Sequence, residues 1–118
     1  FVKLESNELD EIDFPQLITI NGDLLISNNQ AITSFSNFSK LEEVDELTIR
    51  SNSNLQVIDG FNNLIKVSSL KVENNGVLSD LCGFQNLLQN GSMSGDYSVT
   101  DNGYNPSKQD MFDGNCSF

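Results

Sequence analysis

Leu47-Thr48-Ile49-Arg50-Ser51-Asn52 reads apolar, polar, apolar, polar, polar, asparagine. The same order stands 23 residues on, in Leu70-Lys71-Val72-Glu73-Asn74-Asn75. Going the other way, Leu24-Leu25-Ile26-Ser27-Asn28-Asn29 and Val2-Lys3-Leu4-Glu5-Ser6-Asn7 align with it. Tyr97-Ser98-Val99-Thr100-Asp101-Asn102 is a fifth copy. The final asparagines are 22, 23, 23 and 27 residues apart. A fixed period in this range is the signature of a stacked-repeat architecture.

The alternation inside each copy predicts a strand with one buried face. Stacking would put Val2, Leu24, Leu47, Leu70 and Tyr97 in one inward column. Leu4, Ile26, Ile49, Val72 and Val99 form the next, with the β-branched residues that a sheet favours. One rung cannot cover its own apolar side, so stability must come from its neighbours.

Between the strands, apolar residues recur every third position. Ile32, Phe35, Phe38, Leu41 and Val44 match Leu55, Ile58, Phe61, Leu64 and Val67. Leu78, Leu81, Phe84 and Leu87 continue the series. The first rung offers Leu9, Ile12, Phe14, Leu17 and Ile20, and one deletion between Ile12 and Phe14 accounts for its shorter spacing. A step of three is neither the helical nor the strand period. With turn formers such as Asp59-Gly60 and Asn62-Asn63 in the interval, irregular or strand-like sides are expected rather than regular helices.

An inward amide after each strand can donate and accept inside the bend, where backbone groups lack strand partners. Asn7, Asn29, Asn52, Asn75 and Asn102 are therefore expected to form a ladder. Solvent-facing turn asparagines would explain the residue type but not the fixed offset.

The predicted fold class is mainly β: a short right-handed leucine-rich-like solenoid of about five parallel rungs of about 23 residues, in one domain spanning 1–118. The rungs run about 1–22, 23–45, 46–68 and 69–95, with an atypical C-terminal rung and cap at 96–118. Residues 89–95 read as a loop, and 107–112 as a short helical turn. The chain opens on Phe1 inside a periodic pattern, so a mature or trimmed chain with residues upstream is expected.

Seventeen acidic residues against 6 basic ones give a net charge of −11. That leaves no cationic surface for nucleic acid or for an anionic membrane. No apolar run is long enough to insert in a bilayer. Cys82 and Cys116 cannot hold zinc without help, and the chain has no His. A disulfide is preferred to a reactive thiol, because neither cysteine has an activating neighbour in sequence. An even cysteine count suits an exported chain.

Nucleophilic catalysis lacks a histidine base, and no glycine-rich phosphate loop is present. The acidic runs Asp10-Glu11-Asp13 and Glu42-Glu43-Asp45-Glu46 match no calcium-loop pattern and read as solvated turns. No catalytic, cofactor or metal residue is therefore assigned. The outward strand positions are the candidate binding face: Lys3, Leu25, Thr48 and Lys71 in one row, Arg50 and Glu73 in the next. Small or charged residues there could equally serve cross-strand pairing that blunts self-association.

Ile20-Asn21-Gly22-Asp23-Leu24-Leu25-Ile26-Ser27-Asn28-Asn29 and its copies ending at Asn52 and Asn75 resemble the receptor L-domain family. The resemblance runs from Val2 to about Asn102. It implies a short right-handed β-helix and an extracellular role without catalysis. Asp80-Leu81-Cys82-Gly83-Phe84, Asn102-Gly103-Tyr104-Asn105-Pro106 and Gly114-Asn115-Cys116 look more like the bacterial secreted versions. Receptor-type members carry further cysteines, including one near the start, which this chain lacks. The expected role is a recognition or adhesion module for a protein or glycan, extracellular or on the cell surface. A bacterial outer-surface lipoprotein is one form of that. A structural spacer and a receptor ectodomain fragment are the alternatives. The sequons at Asn37, Asn90 and Asn115 keep a glycosylated origin open.

Overall fold

The computed structural model describes residues 2–5, 14–35 and 38–118. Asn7, Leu9, Ile12 and the acidic run at 10–13 lie outside the described residues, as does Asn37.

Strands β1 (Val2–Glu5), β2 (Leu24–Ser27), β4 (Glu43–Arg50) and β6 (Lys66–Glu73) stack in parallel and in register. Leu24 pairs with Leu47, and Leu47 with Leu70, so each rung repeats the side-chain direction of the one before. The last position is split. β7 (Ser92–Met93) pairs with the first half of β6, and β8 (Tyr97–Thr100) with the second half. Five stacked strand positions thus enclose about four turns of a β-solenoid.

On a second side β3 (Ser34–Phe35) pairs with β5 (Val57–Ile58), and Val57 bridges on to Asp80. These sides are extended, as the three-residue step suggests. The third interval departs from that expectation. A 3₁₀ turn at Cys82–Phe84 leads directly into α1 (Gln85–Asn90). The helix and β7 together occupy most of the stretch read as a loop at 89–95. Gly83 belongs to this tightening: a Cβ there would stand 2.5 Å from the Ile58 carbonyl oxygen, so only glycine lets the rung settle on its neighbour.

The first turn also differs from the single-deletion reading. Thr19 bridges to Glu43, an offset of 24, whereas Leu24 pairs with Leu47, an offset of 23. One residue is therefore added between Ile20 and Leu24, and Gly22 absorbs it at φ 137°. That bulge explains why β2 has 4 residues where β4 and β6 have 8.

The core is a set of columns parallel to the solenoid axis. Leu24, Ile26, Leu47, Ile49 and Val72 are fully buried, and Leu70 almost so. Phe14, Phe38, Phe61 and Phe84 stack ring on ring at 5.6, 5.0 and 5.2 Å. The inner three are fully buried, while Phe14, on the first turn, is 37% exposed. Stacked aromatic pairs add roughly 0.5–1.5 kcal/mol each beyond their area burial.

Asparagines run beside these columns. The Oδ1 of Asn52 accepts from the backbone N–H of Asn29 at 3.0 Å and from its amide Nδ2 at 3.2 Å. Asn75 does the same for Asn52, and Asn102 for Asn75. Each Nδ2 also donates to a carbonyl one rung back: Asn29 to Leu4, Asn52 to Ile26, Asn75 to Ile49 and Asn102 to Val72. Asn29, Asn52 and Asn75 are fully buried, so these bonds satisfy groups that would otherwise be costly. The residue before each ladder asparagine turns into the left-handed region: Asn28, Ser51, Asn74 and Asp101, all at φ 56–57°. Asn and Asp visit that region more readily than other residues with a Cβ.

The C-terminal segment closes the open end. Asn105 Oδ1 accepts from both amides of Asn102 and so ends the ladder. Ser107 and Asp110 form a reciprocal capping box at the start of α2 (Lys108–Phe112), which buries Met111. Cys82 and Cys116 are joined by a disulfide across 34 residues. The Cys116 carbonyl accepts from Leu81 N–H at 2.9 Å, and Phe118 N–H donates to Ser79 at the same distance.

Candidate functional site: the outward strand face

Alternation along the strands sends Lys3, Leu25, Thr48, Lys71 and Ser98 outward in one register row. Glu5, Ser27, Arg50, Glu73 and Thr100 make the second row. The six candidate residues therefore lie on one continuous face. Five of them, all but Lys3, line a cleft of about 170 Å³ on its central strands. Asp23, Leu24 and Glu46 complete the lining.

Much of the charge is paired within the face. Lys71 Nζ lies 3.5 Å from Glu46, and Thr48 donates its hydroxyl to the same carboxylate at 3.3 Å. Lys66 and Glu43, register partners, are 3.2 Å apart, and Lys3 and Glu5 are 2.6 Å apart. The Lys3 ammonium, bonded to Glu5, holds that carboxyl below the usual range. Such exposed pairs contribute roughly 0–1 kcal/mol each.

Two charged groups of the cleft lining remain. Among the described residues, the Arg50 guanidinium and the Glu73 carboxylate have no hydrogen-bond or ion-pair partner. They are register neighbours on β4 and β6 and flank the cleft. Beside Arg50 on β2, the Ser27 hydroxyl is buried with no partner.

The roles of Asp23 and Glu46 did not emerge from the sequence, although both directly precede an inward leucine and so point outward by alternation. Asp23 Oδ1 accepts from the Glu46 N–H at 3.1 Å, across the bulge at Gly22. The burial of Ser27 was equally unexpected for an outward serine.

Among the described residues no cluster of three acidic or cysteine side chains could hold a metal ion. No described helix is long and apolar enough to cross a membrane. The disulfide suggests a non-reducing environment.

Fold and face define the class: a parallel β-solenoid with a disulfide-tied cap and a charged, grooved strand face. No protein-family model matches the chain, and no curated protein or solved structure matches it.

Proposed function

We propose that the chain is a non-enzymatic recognition or adhesion module of the receptor L-domain type, working outside the cell or at its surface. It binds a protein or glycan partner through the outward strand face. One observation carries this reading: five of the six outward candidate residues converge on a single cleft. The parallel ladder of asparagines and the disulfide support the family likeness and the exported setting. A rigid sheet suits recognition, because its side chains are ordered before the partner arrives.

The test is to screen the immobilised chain against surface proteins and glycans, in parallel with Leu25→Asp and Thr48→Arg. Phe112→Ser, on the cap, serves as the control. Partners held by the wild type and the cap variant but lost with both face variants support the reading. Partners lost only with the cap variant contradict it. The spacer alternative draws on the three ion pairs that neutralise the face internally. It predicts no partner for any of the four proteins.

A further inference from the structure

We propose that the cleft recognises a mixed-charge group on a protein partner, a carboxylate and an ammonium side by side, with Arg50 taking the acid and Glu73 the base. This rests on the strand-face reading above and gives it a ligand chemistry.

The assignment follows from what the cleft leaves unused. Glu46 is occupied by Lys71 and Thr48, and Asp23 by a backbone N–H. Arg50 and Glu73 are the charged lining groups with no hydrogen bond or close ion pair among the described residues, although Arg50 is near enough to help hold the Glu5 carboxyl low. Their strands are neighbours, spaced about 4.8 Å. Acid–base neighbours on a partner's helix or sheet have Cβ atoms about 5–6 Å apart, a similar spacing. A guanidinium accepts a carboxylate through two parallel N–H donors, which fixes the direction of the partner.

Charge selects against simpler ligands. A purely anionic group would meet Glu73 and approach a chain of net charge −11. A purely cationic one would meet Arg50 and Lys71. A neutral pair of opposite charges satisfies both lining groups. The Leu25 side chain supplies apolar contact to the stems between the charged heads.

The probes are four acetylated, amidated tripeptides: Glu-Gly-Lys, Glu-Gly-Gln, Gln-Gly-Lys and Gln-Gly-Gln. Each is titrated into the ¹⁵N-labelled chain while amide shifts and the Arg50 Nε–H resonance are followed. The expected result is saturable shifts at Thr48, Arg50 and Glu73 with Glu-Gly-Lys, at least fivefold tighter than with either singly charged peptide. Arg50→Glu and Glu73→Arg each abolish the response. The double reversal restores it, because the peptide can bind turned end for end. Arg50→Gln covers the case of a misfolded reversal and weakens binding at least fivefold. Equal responses to all four peptides, or none at the cleft, overturn the proposal. If the peptides fail while Leu25→Asp still blocks a partner, the charge assignment falls and the strand-face reading stands. If face variants leave partner binding unchanged as well, both fall.

Discussion

Asn52 gives one oxygen to two donors of Asn29, its backbone N–H at 3.0 Å and its side-chain amide at 3.2 Å, from 23 residues away. The pair joins two rungs at a point where the backbone is leaving the sheet. Asn52 in turn donates to Ile26 and Asn75, so its amide is fully used. The bend after each strand is held by side chains where the sheet's own ladder ends.

The left-handed residue before each ladder asparagine offers a stabilising substitution. Ser51 sits at φ 56°, where serine has no special advantage. Ser51→Asn or Ser51→Gly raises stability by about 0.5–1 kcal/mol. Ser51→Val, with a branched Cβ, lowers it by about 1–2 kcal/mol. Urea denaturation midpoints read both changes.

The phenylalanine column predicts a graded series. Phe61 is buried between two stacked rings, and Phe61→Ala costs about 3–5 kcal/mol. Phe14→Ala, at the partly exposed end of the column, costs at most half as much. Equal losses would show that ring stacking along the axis is not what holds the column.

The cap predicts a redox dependence. The intact protein has a mass two hydrogens below that of the reduced chain, and neither cysteine labels before reductant is added. Replacing both cysteines by serine costs about 3–4 kcal/mol in the chain-entropy account of a 34-residue separation. The solenoid stays folded at low temperature, because Leu81, Tyr104 and Phe118 still bond the cap to the last turn.

Tyr97 gives the cap a pH limit. Its hydroxyl donates to the Pro106 carbonyl at 2.7 Å. Burial, with Asp110 nearby, raises its pKa above the ordinary value for a phenol. A raised folded-state pKa favours folding fully below the unfolded value, about 10, and the benefit is lost as pH climbs through the folded value. Wild-type stability therefore falls above about pH 10. Tyr97→Phe starts about 1 kcal/mol lower and loses less over the same range, because the buried phenol at position 97 is gone. Thermal melts from pH 7 to 11 make the comparison.

Period and inward columns were legible in the sequence because burial imposes them on every copy. Leu24, Leu47 and Leu70 cannot shift by one residue without turning the core outward. The interval sides were less legible. A three-residue apolar step suits both the extended β3–β5 side and the 3₁₀ turn at Cys82–Phe84, and local sequence does not separate them. Asn105 was hidden for another reason. It ends the ladder from 3 residues beyond Asn102, outside the repeat's own offset. The added residue at Gly22 was masked by a compensating difference earlier in the same rung. On the candidate face, alternation located the six outward residues, but pairing depends on side-chain geometry. Nothing in the string of letters says that Lys71 chooses Glu46 rather than its register neighbours Thr48 and Ser98.

The most direct test of the central claim, that a fixed-offset asparagine ladder holds the rungs together, compares Asn52→Ala with Asn54→Ala in urea at equilibrium. Asn52→Ala strips partners from buried groups of Asn29, Ile26 and Asn75, at about 3 kcal/mol or more. Asn54 makes one exposed bond to the Gln30 carbonyl, and its loss costs less than about 1 kcal/mol. A gap of about 2 kcal/mol or more between the two variants is the predicted result. Equal, small losses in both would contradict it.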